Sequence, residues 1–286
     1  MTPTPYIGRF APSPSGPLHL GSLTCALASY FDAKANYGQW LLRMEDIDPP
    51  REPAGAAQAI IECLRTHKLH WDGDVLYQSQ RSHAYRQALH QLHQKQLTYY
   101  CQCTRKRLRA LGGQYDGHCR DAGLEHGALR LNIQRAQDSG QPTQVAFEDR
   151  LQGLHRQDLT VSGDFVIHRK DGLFAYQLAV IVDDIFQGVN QIVRGDDLLD
   201  VTFNQLLLFK LFEYPAPRFC HLPVVLDTRG YKMSKQHGSP GVNLDTPLKN
   251  VQTALQQMGF EPPPQLPLEA LLIWGTERWQ MANPLQ

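Results

Sequence analysis

Three groups of residues in this sequence have the types and spacing to do chemistry. The first ends Gly8-Arg9-Phe10-Ala11-Pro12-Ser13-Pro14-Ser15-Gly16-Pro17-Leu18-His19-Leu20-Gly21-Ser22, where a proline-stiffened loop delivers His19 and Gly21 to the first turn of a helix. A helix start presents free N–H groups and a positive dipole end, which suits phosphate. Gly21 lets a nucleotide lie close to the backbone, and His19 can donate to phosphate oxygens. Read alone, the segment is equally a Pro-rich turn capping a helix, with His19 incidental. The second group is Tyr231-Lys232-Met233-Ser234-Lys235, between Gly230 and Gly238. Such a loop can close over a triphosphate, with Lys235 countering charge that develops during displacement. Alone it reads more simply as a solvated loop. The third is Cys101, Cys103 and Cys119, all within nineteen residues. Thiolates favour tetrahedral zinc, and a structural site wants four ligands. Tyr115, His118 and His126 are near enough in sequence to supply the fourth, and imidazole binds zinc far more readily than phenol does. Cys25, Cys63 and Cys220 sit in apolar-periodic contexts and read as core.

The elements that must position these groups follow from pattern. Residues 6–10 read as a strand, residues 18–36 as an Ala- and Leu-rich helix with Gly38 near its stop, and residues 40–44 as a second strand. This β–loop–α–β order is the crossover unit of a parallel sheet. Residues 53–67 and 82–96 follow as amphipathic helices. From Cys101 to about Gly172 the character changes to cysteines, glycines and short segments such as 128–133 and 144–148, read as small strands and turns around a metal. The α/β pattern resumes with residues 176–182, 191–193 and a helix over 202–212. Residues 217–226 lead into the lysine loop, and two helices over 247–258 and 268–281 close the pattern. The expected division is 1–98 and 173–238 as the two halves of a catalytic domain, 99–172 as a zinc-containing insertion, and 239–286 as a C-terminal helical segment.

Composition narrows the class. Twenty-eight Lys and Arg balance 28 Asp and Glu, which excludes a strongly basic nucleic-acid coat but not a local basic face. No apolar run approaches the roughly 20 residues of a membrane span, and the N-terminus lacks the pattern of a signal peptide. The cysteines are too few for a disulfide scaffold, so a reducing, cytoplasmic home is expected.

Taken together, His-Leu-Gly-Ser after a first strand and Lys-Met-Ser-Lys past the later half of an α/β sheet resemble the signature pair of class I aminoacyl-tRNA synthetases. The context Arg9-Phe10-Ala11-Pro12-Ser13-Pro14-Ser15-Gly16-Pro17-Leu18-His19-Leu20-Gly21 resembles the glutamyl branch. So do Leu42-Arg43-Met44-Glu45-Asp46-Ile47-Asp48, Val182-Asp183-Asp184-Ile185 and Val193-Arg194-Gly195-Asp196-Asp197-Leu198. Ser22 stands where the general class I signature has a second histidine, and Gln236 where Ser or Arg often follows the second lysine. The sequence runs only about fifty residues past Lys235. No large helical anticodon-reading domain is therefore expected, and the sequence looks like the glutamyl-Q tRNA(Asp) synthetases.

That resemblance implies a Rossmann-type parallel sheet with a zinc-containing insertion. It implies activation of glutamate by ATP with Mg²⁺, without tRNA, and transfer to the cyclopentenediol of queuosine at the wobble position of tRNA(Asp). His19, Gly21, Ser22, Lys232 and Lys235 would serve ATP and catalysis. Arg9 and Arg194 would fork onto the glutamate carboxylates, Glu45 would hold the ammonium, and Phe10, Ala11, Pro12, Ser13 and Tyr176 would complete the pocket. Without the resemblance, Arg194 reads equally as a surface ion pair with Asp196 or Asp197. Arg43 and Asp46 are expected to pair structurally near the sheet edge, and Asp183 and Asp184 to cap and hydrogen-bond near the site. The resemblance points to Tyr115 as fourth ligand of one structural zinc, beside Cys101, Cys103 and Cys119. The run Arg105, Lys106, Arg107 and Arg109 reads either as a grip on tRNA phosphates or as a solvated helix face. A monomer is expected. The rival functions are a glutamyl-tRNA synthetase-like enzyme charging a tRNA 3′ end, a small nucleotidyltransferase, and a catalytically dead RNA-binding protein.

Overall fold

The computed structural model describes residues 4–112, 114–225 and 240–283. In chain order the elements are β1 (Ile7–Phe10), α1 (Leu20–Ala35), β2 (Gln39–Met44), α2 (Ala56–Thr66), β3 (Leu76–Tyr77), α3 (Ser82–Gln94), β4 (Thr98–Cys101), α4 (Arg105–Ala110), β5 (Ala128–Leu131), α5 (Ile133–Asp138), β6 (Gln144–Asp149), β7 (Gly153–Asp158), α6 (Leu159–Ser162), β8 (Val166–His168), α7 (Tyr176–Gln187), β9 (Gln191–Gly195), α8 (Leu199–Leu211), β10 (Arg218–Leu222), α9 (Pro247–Gln257) and α10 (Leu268–Ala282).

The opening β–loop–α–β unit is present. β1 pairs in parallel with β2, Arg9 opposite Leu41, and β2 with β3. β9 starts beside the start of β1, where Asn190 N–H donates to Ile7 O at 3.0 Å and Ile7 N–H to Asn190 Oδ1 at 2.9 Å. β9 pairs in parallel with β10, Arg194 opposite His221. Strand order thus reverses between β1 and β9, and the carboxyl ends of both strands open at the same place. A crevice at such a switch point is where open parallel sheets bind ligands.

The stretch after β4 divides between two sheets. β4, β5 and β8 form an antiparallel sheet of their own. The β6–β7 hairpin extends the main sheet, with Asp149 opposite Phe219 of β10.

Helix α1 is long because Ala and Leu dominate it, and His19 caps its start. Its exit differs from the expected glycine stop. Tyr37 takes the left-handed conformation at φ 52°. Gly38 is needed for room instead, since a Cβ there would lie 2.5 Å from the Tyr6 Cβ. The buried face of α1 packs against α9 and α10. At its centre Asp32, 0% exposed, accepts from Tyr6 Oη at 2.5 Å, Trp279 Nε1 at 2.8 Å and both Arg150 Nη atoms at 2.7 and 2.8 Å. A second core lies among α5, α7, α8 and β10. No described helix is long and apolar enough to cross a membrane.

Candidate active site

A cavity of about 440 Å³ opens at the carboxyl ends of β1 and β9, lined on one side by the loop after β1 and on the other by Tyr176 and Arg194. Arg9, Phe10, Ala11, Pro12, Ser13, His19, Gly21 and Ser22 all reach it. The loop is held in place by β2, whose following residue Glu45 donates its N–H to Pro12 O at 3.0 Å. His19 Nδ1 accepts the Ser22 N–H at 3.2 Å, with Ser22 Oγ 3.0 Å from Nε2. A Cβ on Gly21 would meet the His19 ring at 3.2 Å and Val225 Cβ at 3.5 Å, so glycine keeps this helix start open. Lys232 and Lys235 lie outside the described residues. The chain on either side of them is placed: Val225 lines the cavity, and Gly241 bridges to His19.

Two arginines face the cavity in different electrostatic settings. Arg9 Nε donates to Asp184 Oδ1 at 3.2 Å, and Arg43 Nη1 shares that oxygen at 2.8 Å. Burial would raise the Asp184 carboxyl, but Arg43 and Arg9 hold it below the usual carboxylate range. Arg194 is 5% exposed and, among the described residues, donates only to neutral groups: His221 Nε2 at 3.0 Å, Thr202 Oγ1 and Gln205 Oε1 at 2.8 Å, and Leu198 O at 3.3 Å. Its Nη1 is buried with no hydrogen-bond partner among the described residues. The surface pairing with Asp196 or Asp197 is therefore not what holds Arg194.

Glu45 sits beside the cavity without lining it, with Arg43 Nη2 at 3.4 Å from its carboxylate. Burial pushes its carboxyl up to about 7, only partly offset by Arg43 and Arg9. Burial and the Glu45 charge push the Tyr176 hydroxyl up to about 12. Arg43 does not pair with Asp46. It is fully buried on Asp184, Glu45 and Gln187, because β2 is an interior strand here, while Asp46 binds Ser79 N and Oγ at 2.9 and 2.6 Å. Asp183 and Asp184 hydrogen-bond as expected, to different partners: Asp184 accepts from Arg9 and Arg43, and Asp183 accepts from Gln78, Arg81 and Tyr85, tying α7 to α3.

At the end of β4, the sulfurs of Cys101, Cys103 and Cys119 lie within 4.8 Å of one another. Cys103 and Cys119 Sγ are 3.6 Å apart. A tetrahedral zinc with bonds of about 2.3 Å separates two sulfurs by roughly 3.8 Å, so the cluster has the right size. Tyr115 Oη is 3.4 Å from Cys101 Sγ and 3.7 Å from Cys103 Sγ, and it accepts the Cys119 N–H at 3.1 Å. His118 and His126 are not among the converging ligand atoms, and His126 Nε2 faces Gln102 Nε2 at 2.9 Å. Burial opposes ionisation of Cys101, but hydrogen bonds from Tyr115 and Arg130 bring its thiol down to about 7. Beside the cluster, Arg105, Lys106 and Arg109 of α4 are exposed, and Arg107 pairs with Asp116 at 2.6 Å.

Residues 7–261 match the family model for class I tRNA synthetases (E and Q), catalytic domain. A glutamyl-Q tRNA(Asp) synthetase from Escherichia coli K12 is 52% identical over 91% of this chain and 83% of its own length. Another from Klebsiella pneumoniae is 50% identical over 99% of this chain and 96% of its own length. The chain belongs to the glutamyl-Q tRNA(Asp) synthetases, a family of class I ligases.

Among solved structures, a glutamate tRNA ligase from Elizabethkingia meningosepticum in complex with its amino acid superposes with a TM-score of 0.70 at 26% identity. The match covers 82% of this chain and 53% of that one. The fold also matches glutamate-tRNA synthetase from Elizabethkingia anophelis, TM-score 0.78 at 23% identity, over 94% of this chain and 65% of that one. The chain thus spans about half to two thirds of the solved glutamate enzymes and most of its curated relatives.

Sequence reading did not single out His221, Thr202 or Gln205, which contact Arg194 from β10 and α8, or Asp149 of β6, which holds His221. Polar residues inside apolar strands and helices were the available signal, as with His221 between Cys220 and Leu222.

Proposed function

We propose that this enzyme activates glutamate with ATP in the absence of tRNA and transfers it to the cyclopentenediol of queuosine at the wobble position of tRNA(Asp). The observation that carries the amino-acid half is Arg194, a cavity-lining residue whose buried guanidinium has only neutral hydrogen-bond partners among the described residues, with Nη1 left without one. Such a group favours an anionic ligand strongly, because nothing in its direct contact balances its charge. Arg9 at the other wall serves the second carboxylate, and Glu45 supplies charge opposite to the ammonium. In the first step the α-carboxylate attacks the α-phosphorus of ATP, and pyrophosphate leaves with Mg²⁺. The start of α1 at His19 and Gly21 takes the phosphates, and Lys235 counters the developing charge. No covalent enzyme intermediate is required, since positioning and charge stabilisation carry the step. A queuosine hydroxyl then attacks the activated carbonyl and releases AMP.

The acceptor half rests on the relatives, which bear the queuosine-specific name and match this chain over most of their length. Proteins read RNA sequence chiefly in unstacked loops, so a site working on the wobble base can do chemistry and reading together. Exposed Arg105, Lys106 and Arg109 hold the loop phosphates in this reading. Cys101, Cys103, Cys119 and Tyr115 hold one structural zinc that stiffens the knuckle beneath them. The reduced thiols suit the cytoplasm.

The test is glutamate charging of tRNA from cells able and unable to make queuosine, alongside ATP–pyrophosphate exchange without tRNA. Charging confined to queuosine-bearing tRNA(Asp), with exchange independent of tRNA, is expected. Equal charging of both pools, or label released with the 3′-terminal adenosine, restores the 3′-end enzyme.

A further inference from the structure

Behind Arg194 stand two buried groups in series that no motif predicts. His221 is 0% exposed and Asp149 2% exposed. His221 Nε2 is 3.0 Å from Arg194 Nε, and Nδ1 is 2.6 Å from Asp149 Oδ2. An arginine Nε–H can only donate, so Nε2 of the imidazole must present its lone pair. The proton then resides on Nδ1 and is donated to Asp149. One tautomer of a neutral ring satisfies both contacts. A protonated ring would set a second cation against Arg194 and remove the acceptor.

Asp149 is itself immobilised. It opens the β6–β7 turn, where Oδ1 accepts from Leu151 and Gln152 N–H, each at 3.0 Å, and both oxygens take the His221 N–H at 3.1 Å. The carboxylate stands one imidazole away from the guanidinium and never touches it. This differs from Arg9, whose counter-ion Asp184 is in direct contact. A carboxylate placed directly on Arg194 would compete with a carboxylate substrate for the same N–H groups. Held at one remove, it stabilises the buried cation without occupying the guanidinium N–H groups.

We infer that His221 and Asp149 are positioning residues for the amino-acid substrate, fixing the plane of the Arg194 guanidinium beside the cavity so that its positive charge is held in place for a substrate carboxylate. The inference rests on the proposed reading of Arg194 as a carboxylate ligand. Thr202 and Gln205 of α8 clamp Nη2 from the other side, so rotation about the Arg194 side chain is blocked at Nε and Nη2 together.

The experiment is tRNA-free ATP–pyrophosphate exchange on the full chain, measuring KM for glutamate and for ATP separately. His221→Asn keeps an amide to face Asp149 but is too short to reach Arg194. It should raise the glutamate KM by about 10- to 100-fold, as expected for loosening a charge-assisted contact, with the ATP KM within about twofold. His221→Gln puts an amide oxygen where Nε2 stands and should recover most of the glutamate affinity. Thr202→Val, which keeps the imidazole but removes the Oγ1 contacts to Arg194 Nη2 and to His221 Nε2 at 3.3 Å, should raise the glutamate KM by about 3- to 10-fold without lowering Tm appreciably. A glutamine variant no better than the asparagine variant, an unchanged glutamate KM, or equal losses for both substrates together with Tm overturns the inference. Wild-type protein without glutamate-dependent exchange overturns the pocket reading, and this inference with it.

Discussion

His19 and Gly241 form an antiparallel bridge, and beside it Val242 donates its N–H to Leu18 O at 2.9 Å. On the other side of the same helix start, Val225 packs where a side chain on Gly21 would project. The chain entering and leaving the Lys232–Lys235 segment is therefore anchored on both sides of the first turn of α1. Val225 and Gly241, on either side of the sequence that holds Lys232 and Lys235, thus both reach the start of α1, more than 200 residues away in sequence.

Gly21→Ala tests the helix start. Its methyl group would have to displace the His19 ring, so ATP KM should rise and exchange should fall by roughly 10- to 100-fold with glutamate KM unchanged. Lys235→Ala should lower the exchange rate by about 10²–10³-fold, the loss typical of one transition-state contact. An unchanged rate would remove Lys235 from the chemistry.

Metal analysis should find one zinc per chain. Cys103→Ser should lose it and destabilise the segment around β4 and β5, because site binding contributes to folding. Tyr115→Phe should weaken retention under a chelator, whereas His118→Ala should not. The opposite pair of results would move the fourth ligand to His118.

On the proposed reading of the pocket, Glu45 should make glutamate binding pH-dependent. Its carboxyl is raised from 4.5 to about 7 in the folded chain, so the folded state holds this proton longer than the unfolded state does. Its contribution to stability is thus greatest below pH about 4.5 and declines as pH rises toward 7. Substrate binding runs the other way, since the ammonium of the amino acid favours the ionised carboxylate. Glutamate affinity should climb by about tenfold between pH 6 and pH 8 and then level off. Glu45→Gln should bind weakly with a flat profile; a profile parallel to wild type would assign the titration to another group.

Asp32→Ala removes the charge that Arg150 needs while leaving that arginine buried. Denaturant unfolding should show a loss of about 3–5 kcal/mol, the usual cost of orphaning a buried ion-pair partner. Glutamate and ATP KM in the surviving folded protein should be close to wild type, because none of the residues bonded to Asp32 lines the cavity.

The alternation of strand, Pro-rich loop and Ala-rich helix made the β1–α1–β2 unit legible in sequence, as did the Cys-x-Cys spacing for the cluster. Local pattern reports local geometry well. It reports poorly on which charges end up in contact. Arg43 and Asp46 are near in sequence, yet the guanidinium finds Asp184 from α7, because β2 is buried from both sides at that point. The β6–β7 hairpin looked like part of the cysteine-rich stretch, and only strand pairing with β10 brings Asp149 to His221. Left-handed Tyr37 taking the turn beside Gly38 is a similar case, since the glycine answers a distant Tyr6.

Asp32 accepts from Trp279 across 247 positions of sequence, and Gly275 lies where any side chain would strike the ring of Phe31 at 2.7 Å. On a ribosome the first helix is made early and the helix that covers it late. Until α10 emerges, the α1 face bearing Phe31 and Asp32 has no lid. The β1–α1–β2 unit can therefore complete its packing only after residues 268–282 have been synthesised, and contacts of such long sequence separation fold slowly. Early termination or slow translation near α10 should leave a long-lived species that exposes this apolar face, a natural client for a holding chaperone.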